Sequence, residues 1–159
     1  MTDTVIRNIS TDDYPTIIPL IDNWWGGRPM SAMLPRLFFK HFQDTSFVAL
    51  QNRQIVGFVV GFISQTDPTQ GYIHFIGVSP QHRNQGVGEL LYDAYFSTAR
   101  RCGAHHVSCL TSPTNHLSIA FHQRLGFDIT PGDTLVDGIQ THRDYDGPGE
   151  DRVLFSRVI

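Results

Sequence analysis

Lysine is almost missing from this chain of 159 residues, in which Lys40 stands beside eleven arginines. The arginines are scattered singly apart from Arg100-Arg101. No basic stripe is left to track a phosphate backbone, so nucleic acid is not an expected partner. The absence of a Gly-Lys-Ser/Thr sequence excludes a P-loop nucleotidase. Cysteine is equally scarce. Cys102 and Cys109 make no disulfide framework, which points to a reducing compartment, and buried inert thiols are the expectation for both. No run approaches the ~20 apolar residues of a membrane span, and Met1 to Ser10 alternates polar and apolar residues instead of pairing a basic stretch with an apolar one. Neither membrane insertion nor secretion is expected, and a cytoplasmic location follows. Eight histidines are present, but there is no His-Glu-x-x-His or paired-cysteine motif, and His105-His106 diverge as neighbours. No metal site is expected.

What is present suits one domain spanning residues 1–159. Hydrophobic residues make up 40% of the chain, and 12 basic against 15 acidic residues give a net charge of −3. A chain of this length buries roughly two thirds of its unfolded surface. Thr4 to Ile9 alternates as a first strand, and Ser10 to Asp13 offers caps for a helix reaching about Trp25. Gly26-Gly27-Arg28-Pro29 stops it. Met30 to Phe42 reads as a second helix that Pro35 divides. Ser46–Leu50 and Ile55–Gln65 read as a hairpin, and Tyr72–Val78 as a further strand. Val87, Leu90, Leu91, Ala94, Tyr95, Thr98 and Cys102 recur at helical spacing, which predicts a helix over Gly86–Arg101 closed by Gly103. Val107–Thr111 is a strand. Asn115 stands as the N-cap of a helix with Leu117, Ala120, Phe121 and Leu125 on one apolar face, ended by Gly126. A last strand covers Arg152–Val158, whose Val153, Leu154 and Phe155 would allow edge pairing in a homodimer. The order β-α-α-β-β-β-α-β-α-β predicts an α/β (α+β) fold, a mixed sheet flanked by helices.

The stretch Val78-Ser79-Pro80-Gln81-His82-Arg83-Asn84-Gln85-Gly86-Val87-Gly88 joins a strand to an amphipathic helix. Such a junction exposes unpaired N–H groups where the helix dipole favours negative charge. Gly86 and Gly88 let the backbone approach a pyrophosphate, and Arg83 can add a charge-assisted contact. A dinucleotide fingerprint does not fit, because Leu91 stands at the third glycine position. On the residues alone, an ordinary strand-to-helix turn is the other reading.

Arg83-x-x-Gly86-x-Gly88 resembles the Arg/Gln-x-x-Gly-x-Gly/Ala pyrophosphate loop of the GNAT family of N-acetyltransferases. About thirty residues on, Asn115-His116-Leu117-Ser118-Ile119-Ala120-Phe121-His122-Gln123-Arg124-Leu125-Gly126-Phe127 resembles that family's second block. The resemblance implies a mostly antiparallel central sheet splayed between two parallel strands, with acetyl-CoA as donor. It implies that Ile76, Gly77 and Val78 offer a strand edge to the pantetheine arm. Arg83, Asn84, Gln85, Gly86, Val87 and Gly88 would hold the pyrophosphate, and Asn115 the pantetheine region. Where the family usually carries a tyrosine as acid for the departing thiolate, this chain has His122. An imidazole there could serve, or could be a packing residue. The glutamate that some relatives place before the Asn block has no counterpart, since Leu110 and Thr111 occupy that region. His74 is the remaining candidate base, with a hydrogen-bonded structural histidine as the alternative.

The resemblance implies that the connection before the last strand and the first helices border the acceptor side of the cleft. Asp144, Asp146, Glu150 and Asp151 gather four of the fifteen acidic residues. Through Asp146 and Glu150 they would attract a cationic amine, unless the segment is only a solvated loop. Trp24 and Trp25 cannot both face one core, so one of them could pack on a substrate or form an oligomer contact. The expected activity is acetyl transfer from acetyl-CoA to the primary amine of a small, cationic or amino-acid-like molecule. A protein N-terminus or lysine is the other acceptor class. The rivals are a non-catalytic acyl-CoA sensor and a plain interaction domain.

Overall fold

The computed structural model describes residues 2–159. The chain starts in β1 (Val5–Asn8) and passes through a 3-10 turn into α1 (Tyr14–Trp24). Ser10 N–H donates to Asp13, whose carboxylate also takes both arms of Arg7, each at 2.8 Å. That pairing fixes the entry to α1, whose Ile17, Ile21 and Trp24 recur at helical spacing and are buried. A 3-10 turn at Ser31–Met33 and the short α2 (Arg36–His41) follow. They divide the helix expected over Met30–Phe42 at Pro35, which sits in the extended region and starts α2 instead of continuing a helix.

β2 (Phe47–Gln51), β3 (Gln54–Ile63) and β4 (Gln70–Val78) form an antiparallel meander. α3 (Val87–Arg101) then leads to β5 (His106–Thr111), α4 (His116–Arg124), β6 (Asp128–Ile129), β7 (Thr134–Val136), β8 (Ile139–Thr141) and β9 (Val153–Val158). The main sheet runs β1-β2-β3-β4-β5-β9-β6, and only the β4–β5 pair is parallel. One core lies under α3, where Leu91, Tyr92, Tyr95 and Phe96 meet Val59, Ile73, Val107 and Phe155. The other lies under α1 and α2, where Ile17, Ile21, Trp24 and Phe39 meet Val48, Phe58, Val60 and Phe75.

Four expectations change. β6 and the β7–β8 hairpin are additional, the latter turning on Asp137 and Gly138 with φ of 50° and 79°. β9 is no edge strand, since β5 and β6 flank it, and Val153 and Phe155 are buried; the edge-pairing reading therefore loses its basis. On α4 the inward residues are Ile119 and His122, while Leu117 and Ala120 are exposed. Cys102 is exposed at the end of α3, and only Cys109 is buried. No helix among the described residues is long and apolar enough to cross a membrane.

Candidate active site

The site begins with a strand pair that separates. β4 and β5 are in register only from Gln70–Tyr72 against His106–Ser108. Beyond that, β4 runs on to Val78 and β5 to Thr111 without pairing. Ser79 N–H donates to the Val56 carbonyl on the β3 side at 2.8 Å. Backbone groups alternate along a strand, so those of Ile76 and Val78 face the opposite, open edge. Gly77 faces α1, where an added Cβ would lie 2.6 Å from Trp25 and 2.8 Å from Phe58. A register shift between Val60 and Gly61 leaves His74 without a partner on β3, which turns His74 and Phe75 to the same side.

The open edge of β4 ends in the loop before α3. Among the described residues no acceptor takes a backbone N–H from Arg83 to Glu89; the next N–H, of Leu90, donates to Gly86. Gly86 caps α3 at φ 81°, and nothing lies within 4 Å of where its Cβ would be. This is a row of donors at the start of a long helix with space in front of it, the arrangement that accepts phosphate oxygens. Gly88 serves differently: a Cβ there would lie 2.7 Å from the Phe121 ring, so its absence lets α4 close on α3. Arg83 turns inward, with Nε donating to the Val78 carbonyl at 3.1 Å and Nη2 to the Trp24 carbonyl at 2.6 Å. Gln85 donates back to the Gln81 carbonyl, and Asn84 takes a positive φ. Asn115 caps α4 by accepting from Ser118 N–H at 3.2 Å.

The two histidines lie apart. His122 is 4% exposed among Tyr92, Phe121, Phe127 and Phe155. Its Nδ1 donates to the Ser118 carbonyl at 2.8 Å, so its Nε2 accepts the Tyr92 hydroxyl at 2.6 Å. Burial pushes its pKa below the usual imidazole value, against the Ser118 bond. The structure thus places His122 in the core with both ring nitrogens engaged. His74 lies on the face of the sheet covered by α2, stacked on Phe38 at 4.2 Å, with Nε2 donating to the Met33 carbonyl. A carbonyl only accepts, so the lone pair of His74 is on Nδ1. Burial lowers its pKa as well, outweighing the Met33 bond.

On that same side Trp24 enters the core against Phe58, while Trp25 is half-buried on Phe75 at 4.9 Å. The acidic segment from Asp144 to Asp151 leads into β9. Arg152 holds Asp146 at 2.8 Å and Glu150 at 3.0 Å. Asp144 and Asp151 bond to backbone N–H groups of the same loop. Sequence reasoning passed over Tyr72. Burial pushes its phenol pKa up, the fields of Cys109, Tyr145 and Asp146 add to that, and Arg152 opposes it. The charges that reach Tyr72 come from residues far along the chain, which no local signal in the sequence shows. Among the described residues no cluster of His, Cys, Asp or Glu could hold a metal ion.

A splayed strand edge that runs into a row of free N–H groups defines a cleft for an extended arm with an anionic end. Such a cleft belongs to acyl-group transferases, and the comparisons specify which. A model of the acetyltransferase (GNAT) family matches residues 5–127. The chain belongs to that family. It is 29% identical over 101 residues to N-alpha-acetyltransferase 30 of Schizosaccharomyces pombe, covering 62% of this chain and 67% of that protein. It is 26% identical over 138 residues to an L-methionine sulfoximine/L-methionine sulfone acetyltransferase of Pseudomonas paraeruginosa, covering 79% and 80%. In fold it matches the diaminobutyrate acetyltransferase of Paenibacillus lautus, solved with L-2,4-diaminobutyric acid and coenzyme A, at a TM-score of 0.72 and 20% identity over 99% of this chain and 95% of that one.

Proposed function

We propose that the chain, acting as a single domain, transfers the acetyl group of acetyl-CoA directly to the primary amine of a small acceptor, cationic or amino-acid-like. The observation that carries this reading is the run of unpaired N–H groups from Arg83 to Glu89 at the end of the open β4 edge. The loop Arg83–Gly88 would take the pyrophosphate. The open-edge backbone of Ile76 and the N–H of Val78 would pair with the pantetheine arm as an added strand, and Asn115 would border that arm from the start of α4. A backbone N–H of Ile76 or Val78 would stabilise the oxyanion that forms as the amine nitrogen adds to the thioester carbon. The nitrogen's proton passes to His74 Nδ1, the C–S bond breaks, and the departing thiolate takes its proton from solvent. Orientation supplies much of the rate in this scheme. His122 is assigned a place in the core. Asp146 and Glu150 outnumber Arg152, so the loop keeps a negative field for a cation, with Trp25 on the opposite wall.

A second reading, transfer to a protein N-terminus, is favoured by the likeness to N-alpha-acetyltransferase 30. Calorimetry with acetyl-CoA and desulfo-CoA, beside a Gly86→Glu variant, tests the donor site. Saturable binding lost in the variant supports it, and no binding to the wild type at millimolar donor refutes it. Thiol release across free amines, diamino acids and short peptides with free N-termini then separates the acceptor classes. Donor binding without thiol release on any of them would leave an acyl-CoA sensor.

A further inference from the structure

Arg83 belongs to two structures at once. It opens the run of free N–H groups, and its side chain leaves that run to bond the carbonyls of Val78 and Trp24. Trp24 is the last residue of α1. Its carbonyl is among those a helix leaves unpaired at its C-terminal end, where a cation is also favoured by the helix dipole. Beyond it the chain turns through Gly26 and Gly27 and is fastened again at Asp22, whose Oδ1 accepts from Met30 N–H at 2.9 Å and Ser31 N–H at 2.8 Å. This segment leads to Met33, the partner of His74. The guanidinium therefore ties the acceptor wall to the open edge of β4. It does so with Nε and Nη2 only, and Nη1 has no partner among the described residues. A guanidinium is a rigid planar fork, so its outer edge can meet an anion while its inner edge keeps the two carbonyls.

We propose that Arg83 is a positioning residue that fastens the acceptor wall to the donor loop, so that filling the loop stiffens the end of α1 and the turn to Met33. The inference rests on the reading of the loop as the donor site. An anion on Nη1 restricts the guanidinium, and the restriction is passed to the Trp24 carbonyl; linkage then makes an ordered wall improve donor binding by the same factor. A lysine at this position keeps the charge for phosphate but lacks the fork that spans two carbonyls.

Amide exchange over Trp25–Ser31, measured with and without coenzyme A in the wild type and in Arg83→Lys, tests it, with calorimetry fixing equal occupancy. Coenzyme A should slow exchange there about tenfold in the wild type and hardly at all in Arg83→Lys, a coupling of ordinary size. With an amine that turns over, Arg83→Lys should raise the KM of the acceptor more than that of acetyl-CoA. Equal slowing in both proteins, or none in the wild type with coenzyme A bound, overturns the inference. Failure of the wild type to bind coenzyme A overturns the donor-site reading instead, and the coupling with it.

Discussion

The Tyr92 hydroxyl donates to His122 Nε2 at 2.6 Å while His122 Nδ1 donates to the Ser118 carbonyl, which links α3 to α4 through a buried imidazole. Removing one partner strands the other without water. Tyr92→Phe should therefore destabilise the fold by about 1–3 kcal/mol, the usual cost of an unsatisfied buried polar group. His122→Leu should cost a similar amount, since it strands the hydroxyl. In the double variant neither orphan remains, so its loss should fall short of the sum of the two. Denaturant unfolding of the four proteins measures the coupling, and strict additivity would deny that the pair acts as a unit.

The same imidazole sets an acid limit. Burial holds the folded pKa of His122 below its unfolded value of about 6.5. The folded state thus binds fewer protons than the unfolded one as pH falls through that range. The stabilising contribution is complete above pH ~6.5 and is lost progressively below it, until the folded pKa is passed. His74 shifts in the same direction and adds to the slope. Unfolding free energy measured from pH 7.5 down to 5 should decline in the wild type. In the Tyr92→Phe/His122→Leu double variant the decline should be shallower. An unchanged slope would show that His122 does not carry it.

His74 makes a prediction about rate. Its Nε2–H is committed to Met33, and burial keeps Nδ1 unprotonated at neutral pH. If Nδ1 takes the amine's proton, kcat/KM should fall on the acid side with an apparent pKa below about 6.5. His74→Gln should lower kcat by roughly a hundredfold and remove that limb. A variant that keeps the limb would assign the ionisation to another group.

Local signals carried most of the fold, and long-range register carried what escaped. The strand, loop and helix around Arg83–Gly88 were legible because glycines and helical periodicity act within a few residues. The separation of β4 from β5 was expected only through the resemblance to the GNAT family. It depends on pairing that stops at Tyr72 and Ser108, which no short window contains. On α4, Leu117 looked like the inward residue by hydrophobicity, yet it is 77% exposed, because the Tyr92 hydroxyl gives a polar His122 a place in the core. The β7–β8 hairpin did leave a signal. Asp137-Gly138 stands between Thr134-Leu135-Val136 and Ile139-Gln140-Thr141, the pattern of a two-residue turn with both φ values positive. Composition showed the charge of the acidic loop but not that Arg152 would hold two of its carboxylates.

Gly86 and Gly88, two residues apart, should fail in different ways. At Gly86 a side chain meets open space but must take φ 81°, so Gly86→Ala should cost about 1 kcal/mol of stability. Gly86→Glu should add little to that cost, yet it places a carboxylate before the free N–H row and should abolish coenzyme A binding. At Gly88 the new Cβ would lie 2.7 Å from Phe121, so the ring must give or α4 must move, at about 1–3 kcal/mol. Because Asn115 starts α4, that movement should weaken coenzyme A binding as well. Phe121→Leu in the Gly88→Ala background should recover part of both losses, whereas the same change beside Gly86→Glu should recover neither. Thermal unfolding and calorimetry on the set separate the two roles: if Phe121→Leu rescues nothing, Gly88 acts through the donor loop rather than through the contact between α3 and α4.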